Sequence, residues 1–203
     1  GTNWWEYHSA HWQKKEGTKP QKNAILTDFY GNKWQIQGFY LLVSNATGTY
    51  FYSTADNLPG TPQAMALATD GQLWVATSNG VGVITTTADI VRTPVRAYWP
   101  VFGNQRLLLQ QNVTSVVIDA GDRKWFGTSN GLYFFDTNLE NLIEHFTIEN
   151  APFTANAVVS LAINELGELF VQTTNDGVYS YQTDATLPSE NYTSVSIYPN
   201  PIR

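Results

Sequence analysis

Along the chain, apolar and polar positions fall into short runs of period two, interrupted at close intervals by Gly, Asp or Asn. The clearest block is residues 113–136, VTSVVIDAGDRKWFGTSNGLYFFD. Its opening run, residues 113–118, is β-branched and of strand length. Residues 119–122 supply turn chemistry, because Gly tolerates positive φ and a short Asp side chain can accept from its own turn. Residues 124–128 predict a second strand, and Ser129-Asn130-Gly131 closes a hairpin into a third at 132–135. The block recurs at residues 64–85 and 158–181, and more faintly at 24–37. Residues 95–99 and 142–146 read as fourth, outer strands of the second and third blocks. The rest of the first block is expected within residues 38–52, and residues 3–7 read as an outer strand whose inner partners are missing.

The second strand of each block carries an aromatic anchor, Trp34, Trp74, Trp125 and Phe170, at steps of 74−34=40, 125−74=51 and 170−125=45 residues. Such a period, with three or four short strands per unit, is the sequence mark of propeller blades. The predicted fold is therefore all-β, a β-propeller of about four four-stranded antiparallel blades, either closed on itself or part of a larger propeller. The expected organisation is a propeller over residues 1–190, with blades near 24–57, 64–111, 113–148 and 158–183 and a stray outer strand at 3–7. Residues 191–203 are expected to be a linker into a missing C-terminal domain. The anchors should occupy equivalent, buried places in successive sheets. An unclosed array would leave an open edge through which two copies could associate.

The length of 203 residues suits one domain that buries roughly 70% of its unfolded surface. A hydrophobic share of 42% with 14% charged residues argues against disorder. The net charge of −6 lacks the basic footprint of a nucleic-acid binder, and the densest basic run, Lys14 to Lys22, is short. With no cysteine, disulfides and thiolate metal sites are excluded. No apolar run reaches the ~18 residues that a membrane helix needs, so direct membrane insertion is not expected. The chain starts at Gly1 without an initiator Met and reads as a piece of something longer.

Thr69-Asp70-Gly71-Gln-Leu-Trp74, Asp119 with Trp125-Phe-Gly127-Thr128 and Gly131-Leu132, and Asp28-Phe-Tyr-Gly31-Asn-Lys-Trp34 resemble the two-component regulator propeller repeat. That repeat runs as a hydrophobic strand, Asp-x-x-Gly-x-x-Trp, a small residue, Thr and x-x-Gly-Leu/Val. The fourth copy departs from it with Asn164 and Phe170. Residues 195–203, VSIYPNPIR, resemble the opening of the C-terminal sandwich of type IX secretion proteins of the Bacteroidetes. Together the two likenesses resemble PorZ-type propeller proteins. The resemblance implies a periplasmic or cell-surface protein with further blades upstream and a sandwich downstream. A Pro-Asn-Pro tail is also, on its own chemistry, a good linker.

Asp28, Asp70 and Asp119 recur at what reads as one place in their blades. Recurrence favours turn capping over a carboxylate site, since a site needs one constellation and a fold needs every turn. The Asp box of sialidases is also similar, but the five arginines, Arg92, Arg96, Arg106, Arg123 and Arg203, are scattered. Glu6, His8 and His11 could form a metal fragment, yet strand alternation would set His11 on the face opposite the other two. No phosphate loop, nucleophile elbow or triad order is visible, so no catalytic residue, metal or cofactor is expected. Aromatics in loop-like positions are the binding candidates: Tyr30, Trp99 and Phe102, with Trp4 and Trp5 if their edge is free. The expected role is a non-catalytic extracytoplasmic module that binds a protein or an envelope polysaccharide, tied to type IX secretion or surface assembly. The alternatives are the oligosaccharide-sensing periplasmic propeller of a hybrid two-component regulator and a propeller lyase or hydrolase.

Overall fold

The structure, a computed structural model, describes residues 3–8, 11–16, 25–174 and 178–185, with side chains described from residue 25 onward. The chain divides into two compact units, Gly1–Val116 and Val117–Arg203, which meet within one strand. Among the described residues regular structure is almost entirely β, with one 3-10 turn at Thr54–Asp56.

The first unit opens with a hairpin of β1 (Asn3–His8) and β2 (His11–Glu16). The segment read from the sequence as an outer strand thus pairs with its immediate successor. A four-stranded meander follows: β3 (Leu26–Thr27), β4 (Lys33–Gln37), β5 (Tyr40–Asn45) and β6 (Gly48–Tyr52). Next comes a three-stranded sheet of β7 (Pro62–Leu67), β8 (Gln72–Thr77) and β9 (Gly80–Thr85). Its expected outer strand shrinks to one bridge, in which Val83 and Tyr98 exchange backbone bonds of 2.8 and 2.9 Å. Pro94 and Pro100 bracket the segment and withhold the donors a longer ladder needs. A small hairpin of β10 (Val101–Phe102) and β11 (Gln105–Arg106) then projects from the chain.

The strand β12 (Val113–Ile118) leads into the second unit, where it begins a four-stranded sheet with β13 (Lys124–Thr128), β14 (Gly131–Phe135) and β15 (Leu142–Phe146). The last described sheet has three strands, β16 (Val158–Ile163), β17 (Glu168–Thr173) and β18 (Val178–Gln182).

One turn geometry joins the first two strands of each of the four sheets that have three or more strands. At Asp28, Ala68, Asp119 and Asn164 the residue's N–H bonds to the carbonyl four residues on, and its own carbonyl accepts from the N–H three residues on. That third residue has positive φ: Gly31 at 80°, Gly71 at 83°, Asp122 at 58° and Gly167 at 75°. Three of the four are Gly because the left-handed region penalises a Cβ. The turn also corrects the sequence alignment. Six residues before Trp34, Trp125 and Phe170 stand Asp28, Asp119 and Asn164, but six before Trp74 stands buried Ala68 rather than Asp70.

Trp34, Trp74 and Trp125 are buried at matching places, opposite Val43, Val83 and Phe134 on the next strand. Phe170 sits opposite Ser180 and is only half-buried, because its face also carries Gln172 and Gln182. Sheets stack in one direction within each unit. In the first, Trp34, Leu41, Val43 and Tyr52 pack against Leu73, Val75 and Ile84 of the next sheet. In the second, Trp125, Leu132 and Phe134 pack against Leu169 and Val171.

Candidate binding surfaces

The motif carboxylates are consumed by the turns they make. Asp28 Oδ1 accepts from the N–H groups of Tyr30 (2.9 Å) and Asn32 (3.0 Å), while Oδ2 accepts from Asn32 Nδ2 and Trp34 Nε1, both at 2.8 Å. Asp119 repeats the pattern with Gly121 N, Arg123 N, Arg123 Nε and Trp125 Nε1. Each buried carboxylate therefore has its acceptor sites filled, which leaves none for a metal or a reacting proton. In the second repeat Ala68 has nothing to offer, and exposed Asp70 instead accepts from Gln72 N at 2.9 Å. In the fourth, Asn164 Oδ1 accepts from Leu166 N and Glu168 N. An amide suffices there because Phe170 brings no indole N–H.

The residue four beyond the turn's start links neighbouring sheets. Asn32 Nδ2 reaches Thr87 O at 3.0 Å, past the end of β9. Arg123, which also binds Asp119, reaches Asp184 Oδ1 at 2.6 Å, past the end of β18. The Arg123 partner holds the Asp184 carboxyl below the usual carboxylate range.

Trp99 and Phe102, two of the candidate residues, share one loop and its hairpin. The Thr54–Asp56 turn ends at Asn57, which takes left-handed φ of 70° and donates from Nδ2 to Ala97 O at 2.7 Å. Asn57 O in turn accepts from Trp99 Nε1 at 2.6 Å, and Ala55 O from Arg96 Nη2 at 3.2 Å. The indole is thereby fixed by its nitrogen, and the Arg106 guanidinium lies 3.8 Å over its ring. Gly103, at φ 59°, makes the tight turn between Phe102 and Gln105. Phe102 is half-buried and Val101 is 56% exposed. Tyr30 lies elsewhere, on the β3–β4 turn, with its ring exposed beside exposed Phe29. Trp4 and Trp5 fall on β1, where side chains are outside the described residues.

Sequence reasoning missed a pocket in the second unit of about 250 Å³, lined chiefly by Leu132, Phe146, Phe153, Val171, Tyr179 and Tyr181. Tyr179 Oη accepts from Thr154 N at 3.2 Å, and Phe146 and Tyr181 rings lie 5.5 Å apart. The lining is apolar and aromatic, which suits a hydrophobic group rather than acid–base chemistry. Its only sequence signal was the unassigned Phe153 in the loop before β16.

Among the described residues no group of three or more His, Cys, Asp or Glu is placed to hold a metal ion. His145 stacks on Tyr133 at 3.9 Å with Nε2 3.0 Å from Asn130 O, a packing role. His8 and His11 are register partners across the first hairpin, whereas a single continuous strand would have set them on opposite faces. No helix among the described residues is long and apolar enough to cross a membrane.

No family model matches the sequence, and no curated relative matches it either. Solved structures do. The chain is similar to PorZ, described as an essential bacterial surface component of the type-IX secretion system of Porphyromonas gingivalis, with 22% identity and a TM-score of 0.66. That match covers 88% of this chain and 28% of PorZ. It is also similar to the extracellular domain of a protein of B. thetaiotaomicron assigned to a one-component system, at 19% identity, TM-score 0.63 and coverage of 84% and 22%. A third similar structure is the extracellular domain assigned to a hybrid two-component system of the same organism, at 17% identity, TM-score 0.63 and coverage of 88% and 24%. The chain thus spans about a quarter of the length of these relatives. The likeness establishes the fold as all-β and of the propeller type.

Proposed function

We propose that the chain is a non-catalytic, extracytoplasmic propeller module of PorZ type that binds a protein or an envelope polysaccharide, in type IX secretion or cell-surface assembly. The observation that carries the non-catalytic part is the saturation of the recurrent carboxylates: Asp28 and Asp119 each accept four hydrogen bonds and support turns. What the repeats do not share, the anchored Trp99 and its hairpin, is surface suited to contact rather than turnover. The extracytoplasmic part is supported by the surface and extracellular nature of the similar structures, and by the secretion-like residues 195–203, which lie outside the described residues.

The test is a glycan array and an envelope-protein binding screen on the full-length protein, run beside assays for released reducing ends and lyase products. Saturable binding without turnover is expected; product formation would overturn the reading. A second reading, the ligand-sensing domain of a two-component regulator, draws on the two sensor-type neighbours. The polypeptide following Arg203 separates the two. A sorting-type sandwich supports secretion, whereas a sensory sandwich followed by a hydrophobic helix and a kinase supports the regulator.

A further inference from the structure

Six lysines and arginines fall within residues 25–185: Lys33, Arg92, Arg96, Arg106, Arg123 and Lys124. Arg123 and Lys124 are committed to Asp119, Asp184 and Asp122. Arg96 and Arg106 are exposed, and each is held in place without a carboxylate partner among the described residues. Arg96 is fixed by its bond to Ala55 O, and Arg106 by stacking over an indole that is itself tied to Asn57 O. A guanidinium held over a ring face has its N–H donors at its edges, and these are the groups that meet a carboxylate. In a chain of net charge −6, two exposed arginines on one short segment, neither in an ion pair among the described residues, mark a place for an anion.

The hairpin adds a second kind of contact. Phe102 and Gln105 flank its two-residue turn, so they form the hydrogen-bonded pair, and the next pair, Val101 and Arg106, is of the open type. The backbone N–H and C=O of Val101 therefore face outward beside an exposed apolar side chain. A polypeptide strand can pair with such an edge, whereas a sugar has no matching backbone. We propose that residues 96–106 dock an extended acidic polypeptide, with Arg96 and Arg106 taking its carboxylates and Val101 offering the pairing edge. This rests on the reading of the chain as a binding module and names the kind of partner.

Fluorescence anisotropy tests it, using the 203-residue chain and a labelled ten-residue peptide alternating Glu and Val, beside its Gln-for-Glu counterpart. The Glu peptide is expected to bind about tenfold tighter than the Gln peptide and to weaken as salt is raised. Arg106→Gln should weaken binding about tenfold. Arg106→Lys should also weaken it, because lysine keeps the charge and loses the forked set of donors. Circular dichroism should show both variants folded, since the side chain is exposed. Equal binding of the two peptides, binding of neither, or an Arg106→Gln variant that binds like the parent would overturn the proposal. So would an oligogalacturonide that displaces the Glu peptide and binds more tightly than it does. A chain that fails with peptides but binds a glycan elsewhere leaves the module reading standing; one that binds nothing and turns over substrate loses both.

Discussion

The four-stranded and three-stranded sheets of the amino-terminal unit, the first and second of its larger sheets, share a turn, an anchoring tryptophan and a register, yet they differ on the face opposite that tryptophan. In the second sheet this face carries Leu73, Val75 and Ile84, all buried against the first sheet. In the first sheet the matching positions are Lys33, Gln35 and Ser44, with Tyr40 and Phe51 nearby and about half exposed. The second sheet packs this face against the first, whereas the first turns its tryptophan face to that contact and leaves Lys33 exposed and Gln35 and Ser44 half-buried on the other. The comparison teaches that the repeat motif specifies a turn and one packing face, while the other face is free to follow its surroundings.

The largest expected effect sharpens what the two sheets have in common. Trp34→Ala should cost about 3–5 kcal/mol, since it empties a fully buried site and leaves Asp28 Oδ2 without its indole donor. Urea unfolding would measure it, and a loss below about 1 kcal/mol would remove the tryptophan from the core of the account. A smaller effect separates the two turns. Asp28→Ala should cost about 1–3 kcal/mol, because it strands buried donors, including the indole and the Asn32 amide. Asp70→Ala removes one exposed acceptor and should cost at most about 1 kcal/mol. Equal losses would show that the side chain six residues before the anchor has no special place.

The smallest effect concerns the link between the third and fourth sheets. Arg123 depresses the Asp184 carboxyl, so the pair stabilises the fold above the usual carboxylate range and loses that contribution as pH falls through the folded value. The stability gap between the parent chain and Asp184→Asn should therefore be present near neutrality and close as pH drops below about 4. Thermal melts across that range would show it; a gap independent of pH would mean that the ion pair contributes nothing.

Much of this was legible in the sequence, for local reasons. Gly and Asn-Gly mark the turns because few residues tolerate their backbone, and β-branched runs mark the strands. The one-sided first sheet can even be read from Lys33-Trp-Gln-Ile-Gln37, which alternates, beside Leu73-Trp-Val-Ala76, which does not. Other features rest on distances that no local pattern carries. Gly71 keeps its place in the motif, but Asp70 stands two residues past the place of the motif carboxylate, and only the backbone bonds of Ala68 expose the shift. The prolines around Tyr98 reduce a predicted strand to a bridge. Trp99 was a candidate by its loop position, but Asn57 and Arg106, which fix its two sides, come from distant or unremarkable stretches. The aromatic pocket gathers residues from four strands and a loop, so Phe153 alone hinted at it in the sequence.

The central claim is that the same backbone position is fully buried in the second sheet and only half-buried, and polar, in the first, and a reciprocal exchange tests it most directly. Gln35 and Val75 are the matching positions, each one residue past its tryptophan. In urea unfolding at neutral pH, Val75→Gln should lose about 2–4 kcal/mol, from lost burial and a buried amide without partners. Gln35→Val should lie within about 0.5 kcal/mol of the parent chain. Similar losses from both exchanges would contradict the account, because they would show that the two faces are packed alike.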